Sequence, residues 1–142
     1  MTAANQLLTA IQVRLADDPG LFAMIGPEGL RDRLVSGRKL PAIIVADLAS
    51  NDYSTATETG AEHLLTLEIW TDAGGRKEAA TIAERLRALL HDAPLSLETH
   101  HLVGLLHLST RTRREAKTRL HVAEIRFRAV TETVVEAEVS GA

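Results

Sequence analysis

The sequence predicts an α+β fold: a single mixed, mainly antiparallel sheet of about four to five strands with two main helices on one face. Three observations predict it. Residues 62–95, EHLLTLEIWTDAGGRKEAATIAERLRALLHDAPL, alternate with a period of two, break at Gly74-Gly75, and resume with helical spacing. Residues 2–17 carry a second helical stripe, and two long alternating runs follow position 100.

Each element has a local reason. Thr2 can cap a first helix running to about Asp17, with Leu7, Leu8, Ile11 and Leu15 on one stripe and Asp17-Asp18-Pro19-Gly20 as its stop. Residues 21–25 form a short apolar helical turn ended by Gly26-Pro27, residues 30–34 alternate Leu with Arg as a short edge strand, and residues 36–39 turn. Residues 40–46, LPAIIVA, form a strand buried on both faces, because apolar side chains run without polar interruption. Residues 49–60 follow as a polar loop, long enough that it is either functional or flexible.

In the next strand His63, Leu65, Leu67 and Ile69 share one face and Leu64, Thr66, Glu68 and Trp70 the other. Gly74 and Gly75 end it. A helix from Lys77 buries Ala79, Ile82, Ala83, Leu86, Leu89 and Leu90, and His91-Asp92-Ala93-Pro94 closes it. Strands at 102–113 and 119–131 are joined by a charged tip at 113–118. In the last strand Ala123, Ile125, Phe127 and Ala129 oppose Glu124, Arg126 and Arg128; in the one before it Leu102, Leu106 and Leu108 oppose Val103, Leu105, His107 and Arg111. The domain is expected over 1–133, with 134–142 as a tail that is either a swapped, interface-forming strand or disordered.

Composition narrows function. Cysteine is absent, which removes disulfides and thiolate metal sites. A formal net charge of −3 gives no overall pull toward nucleic acid or an anionic membrane. Aromatics are only 3% of the chain, too few for stacking bases or sugars. No apolar run is long enough to span a bilayer and no leader pattern opens the chain, so a soluble, unprocessed protein without a membrane partner is expected.

The candidate chemistry is thin. His100 and His101 are neighbours on a strand, so they point to opposite faces and do not share a metal. Gly74-Gly75-Arg76-Lys77 sits where a phosphate loop would, but lacks the spacing of either phosphate-binding motif and carries Glu78 in the first helical turn; a tight turn explains it. No GxSxG elbow is present. We therefore expect no catalytic residues, no metal and no cofactor. What remains is surface. Arg111, Arg113, Arg114, Lys117 and Arg119 form a basic cluster that is either an edge guard or a contact to an acidic neighbour or to passing DNA. Trp70 and Glu68, with Arg126 and Arg128, lie on the sheet face opposite the helices, which is too apolar around Leu64, Val103 and Leu105 for comfortable exposure. These nine residues are the candidate subunit or partner contacts.

The strand ending Ile69-Trp70-Thr71, the Gly74-Gly75-Arg76 turn into an Ala- and Arg-rich helix, and the His91-Asp92-Ala93-Pro94-Leu95 exit resemble the tail-terminator, or tail-completion, proteins of long-tailed bacteriophages, prophages and gene transfer agents. The opening helix with its Leu-Pro-Ala-Ile-Ile-Val strand, and Ile125-Arg126-Phe127-Arg128-Ala129, fit the same pattern, so the resemblance runs from about Ala4 to Thr133. It implies a structural virion protein rather than an enzyme. By resemblance the chain assembles as a six-membered ring at the head-proximal end of the tail tube, stops tube growth and docks to the head connector. DNA would pass through the ring without sequence-specific binding. A head–tail adaptor or stopper is the alternative, and a small cytosolic enzyme or ligand-binding domain using the 49–60 loop is a more distant one.

Overall fold

The chain is described here by a computed structural model covering residues 1–27, 29–32, 40–72 and 75–134. In order it runs α1 (Ala3–Ala16), α2 (Pro19–Ile25), β1 (Leu30–Arg31), β2 (Ala42–Asp52), β3 (Gly60–Thr71), α3 (Gly75–Leu90), β4 (His100–Arg114) and β5 (His121–Thr133). The strands form one five-stranded sheet in the order β1-β2-β3-β5-β4. β1 is parallel to β2 and every other pairing is antiparallel. This is the mixed, mainly antiparallel α+β fold that the sequence predicts.

The core is where the two periodicities meet. Leu65, Leu67 and Ile69 of β3 and Ile125, Phe127 and Ala129 of β5 are buried on one sheet face, and Ile82, Leu86 and Leu90 of α3 with Leu7, Ile11 and Leu15 of α1 are buried against them. Each fully buried Leu or Ile contributes about 1.5–3 kcal/mol relative to exposure, so this layer dominates stability.

Local chemistry sets the helices in place. Thr2 Oγ1 accepts from Asn5 N at 3.1 Å, capping α1. Asp18 caps α2 by accepting from Leu21 N at 2.8 Å. The same carboxylate receives Arg85 Nε at 2.8 Å and a second guanidinium nitrogen, tying α2 to α3. That Arg85 contact holds the Asp18 carboxyl below its ordinary range. Gln6 ties α1 to the segment before β4, donating to Thr99 Oγ1 at 2.7 Å and accepting from Thr99 N at 2.9 Å.

The strand-to-helix turn explains its glycine. A Cβ on Gly75 would lie 2.6 Å from His121 Cδ2 and 2.7 Å from Thr71 Oγ1, closer than packed atoms approach. Thr71 Oγ1 donates to Gly75 O at 2.8 Å and closes the turn. Gly75 is thus packed against β3 and β5 and α3 begins there rather than at Lys77, while Gly74, the other glycine expected to end the strand, lies outside the described residues.

Several expectations need correction. β2 is buried on both faces only at Ala42, Ile43 and Ile44; it then runs on to Asp52 with most residues exposed, so the loop expected over 49–60 shrinks to 53–59. That remnant is held by hydrogen bonds, among them Tyr53 N to Gly60 O at 3.0 Å and Thr55 N to Glu58 O at 2.8 Å. β4 starts at His100 and β5 at His121, which moves the tip to 115–120. β4 also carries irregularities between Leu102 and Gly104 and between His107 and Ser109. Each adds a residue and reverses the alternation. Leu102 therefore shares the helix side with Leu105 and His107, so Leu105, expected on the uncovered face with Leu64 and Val103, is instead buried in the core, while Arg111 falls on the opposite face with Leu106. The edge strand expected at 30–34 is reduced to Leu30–Arg31, its remaining positions 33 and 34 and the turn expected at 36–39 lie outside the described residues, and so does the tail beyond Val134.

Candidate assembly interface

Among the described residues the second face of the sheet carries no helix. Its rows follow from strand register: Ala42, Trp70 and Val122; Ile44, Glu68, Glu124 and Arg111; Asp47, Thr66, Arg126 and Ser109; Ala49, Leu64, Arg128 and Leu106. Six of the nine sequence-chosen residues, Trp70, Glu68, Arg111, Arg113, Arg126 and Arg128, are thereby brought onto one surface. Arg114 pairs in register with His121 on the other face, and Lys117 and Arg119 lie in the tip.

The face has three zones. At the Trp70 end, Ala42, Ile44 and Val122 are buried and Trp70 is half-buried, its Nε1 donating to Glu68 Oε1 at 3.1 Å. In the middle, Arg113 gathers three carboxylates: Glu68 at 3.4 Å, Glu124 at 3.7 Å and Glu115 at 3.8 Å. Glu68 thus links Trp70 to Arg113 and orients both. At the far end Arg128 Nε donates to Glu62 Oε2 at 2.6 Å, and its guanidinium lies 5.3 Å from the Tyr53 ring centre. Around that pair Val103, Leu106 and Leu108 are 52%, 42% and 47% exposed, a cluster of large apolar side chains left to water.

The cations divide by role. Arg113 and Arg128 are held in internal pairs. Arg111, Arg114, Lys117, Arg119 and Arg126 are exposed and make no ion pair within the described residues. The tip that carries Lys117 and Arg119 is an ordered turn: Glu115 N donates to Leu120 O at 2.7 Å and Arg119, at φ 62°, donates its N to Glu115 O at 2.8 Å.

Two further features were not visible in the sequence. The outer edge of β4 is plugged in its middle by the exit of α3: Asp92 N donates to Leu105 O at 2.7 Å, and His107 N donates to His91 Nδ1 at 3.0 Å. Asp92 reaches this position at φ 58°. Inside the sheet, His63 is buried between two hydroxyls, Ser50 Oγ at 2.7 Å from Nδ1 and Thr131 Oγ1 at 2.9 Å from Nε2. Burial, and then the charge of His100, hold its pKa below the ordinary histidine value. Only an apolar alternation that happened to include a histidine signalled it.

Among the described residues no three metal-ligating side chains cluster. A groove of about 500 Å³ between α1 and residues 94–98 is lined mainly by apolar groups, including Ala10, Val13, Leu95 and Leu97. No helix of the described residues is long and apolar enough to cross a membrane.

Comparison with known proteins agrees with a structural role. A search of curated proteins finds no significant match. Among solved structures, a chain from the virion of a native gene transfer agent particle superposes with a TM-score of 0.81 at 28% identity, over 93% of this chain and 99% of that one. The family model for tail completion protein gp17 matches residues 9–132. That match spans most of the helical layer and almost the whole sheet, and by it the chain belongs to the tail completion protein gp17 family, as a structural component of the tail of a virion or phage-like particle.

Proposed function

We propose that the chain is a tail terminator: copies close into a ring on the head-proximal end of the tail tube, stop its polymerisation and present the surface that docks to the head connector. The observation that carries this reading is the uncovered sheet face. A subunit whose helices already complete one core, and whose other face sets a half-buried Trp70 beside buried Ala42 and Val122 with Val103, Leu106 and Leu108 in water, has surface to spend on copies of itself or on neighbours. Cyclic symmetry lets one pair of patches satisfy every subunit. The similarity to a gene transfer agent virion chain, nearly end to end, supports placement in such a particle.

Deleting the gene tests it. A terminator is needed both to stop the tube and to join it, so the deletion should give capsids that package DNA, no attached tails, and free tubes of abnormal length or unstable tails. Electron microscopy of the lysate reads this directly. Free tails of normal length would point to the adaptor or stopper role, and normal tails attached to heads would refute both.

A further inference from the structure

Outside the two-residue edge strand β1, the sheet is electrically polarised from β2 to β4. From position 40 to 75, which spans β2 and β3, the chain has six carboxylates and no Lys or Arg. From 111 to 128, the end of β4, the tip and most of β5, it has seven Lys and Arg against two Glu. Two pairs neutralise part of this inside the subunit, Glu62 with Arg128 and Glu68 with Arg113. The remainder faces out at opposite sides. Asp47 and Asp52 are exposed on β2, whose length beyond Ile44 has no β1 partner, and Glu58 is exposed in the turn that follows. Arg111 and Arg126 are exposed on β4 and β5.

Register puts these charges level. Asp47 shares a row with Thr66, Arg126 and Ser109, and Arg111 is in the next row on the same face. Two copies set side by side with strands aligned would therefore bring Asp47 of one against Arg111 and Arg126 of the next. Because donor and acceptor edges differ, the contact is head-to-tail, the type that closes into rings. The β4 edge cannot simply continue the sheet, since Leu105 O and His107 N are already occupied by Asp92 and His91. The contact must be made by side chains.

We propose that neighbouring copies in the ring are joined by this complementary pair of edges, the acidic β2 side of one against the basic β4 side of the next, with Asp47 meeting Arg111 and Arg126. This rests on the ring reading above and adds which surfaces meet. A second copy is the occupant favoured over DNA or another virion protein because the chain itself supplies an unpaired acidic edge, at the matching height, for its unpaired basic one. Complementary potentials of this kind set orientation and exclude like-charged approaches.

Charge exchange tests it in particle-producing cells. Asp47→Arg and Arg111→Asp should each lower the yield of joined particles by about tenfold or more, the size of one weakened contact per interface, and the double exchange should restore most of it. Melting of the purified variants confirms folding, since both sites are exposed. Independently, Asp47→Cys with Arg111→Cys in this cysteine-free chain should give a ladder of disulfide-linked multimers from oxidised particles. The two positions lie at opposite sides of the sheet, about 15–20 Å apart, too far for a disulfide within one subunit. A double exchange no better than the worse single variant, or no ladder, overturns the proposal. So do Arg111→Asp particles with firmly attached, normal tails that fail only in DNA delivery, which would turn the basic edge toward nucleic acid. Such failures in a chain whose deletion still gives unterminated tubes would sink the edge pairing and leave the terminator reading standing.

Discussion

The two faces of the sheet are built from the same strands, residue by residue in alternation, yet they obey different rules. On the helix side Leu65, Leu67, Ile125 and Phe127 are buried, and the polar groups that enter, such as His63, are bonded on both sides. On the open side buried, charged and apolar zones lie within a few rows, and Arg111 and Arg126 make no ion pair within the described residues. The difference teaches that stability resides in one face and leaves the other free to carry recognition. Changes to the first face should be read in melting curves, and changes to the second in particles.

The largest break comes from crossing that division. Ile125→Asp places an unpaired charge in the core and should destabilise by about 4 kcal/mol or more, enough to unfold the subunit in a urea titration followed by circular dichroism. Next, Gly75→Ala forces a methyl against His121 and Thr71 and should cost about 2–3 kcal/mol. An unchanged midpoint would show that the turn relaxes freely.

Trp70→Ala sharpens the comparison because the residue is half-buried on the open face. It should cost only about 1–2 kcal/mol, below the range for a fully buried ring, while lowering joined-particle yield more than that loss explains. Equal effects on melting and assembly would make Trp70 purely structural.

His63 gives a pH test of the covered face. Its folded-state pKa is depressed, so the unfolded chain binds the extra proton first: the contribution is full above the ordinary value of 6.5 and is lost as pH falls toward the depressed one. Melting temperature should drop between pH 7.5 and 5, and His63→Gln should flatten that slope. Smallest of all, Arg126→Glu should leave stability within about 0.5 kcal/mol while still impairing assembly.

The helix-covered face was legible because burial imposes period, and Ile69, Ile82 and Ile125 announce it. The candidate contact face was legible for the same reason, as the complement of the core, which is how Trp70, Glu68, Arg126 and Arg128 came together. β4 was misread because a bulge changes alternation without changing composition: nothing in VGLLHLS marks which residue is extra. The outer half of β2 looked like loop because its Ser, Asn and Asp suit turns, and only pairing with β3 makes them a strand. Arg113 looked like free surface charge, whereas Glu68 and Glu124 from sequence-distant positions, together with the neighbouring Glu115, claim it. The edge plug depends on a tertiary approach, so His91 and Asp92 read merely as a helix stop.

That plug bears on life before assembly. Newly made subunits accumulate beside one another in a crowded cell, and a bare strand fifteen residues long would invite them to zip together indiscriminately. With a histidine ring and a backbone amide seated on the middle of the strand, the ladder stays shut and side chains alone decide who may approach. On the terminator reading proposed above, a protein that brings another polymer to an end is thereby kept from becoming one itself.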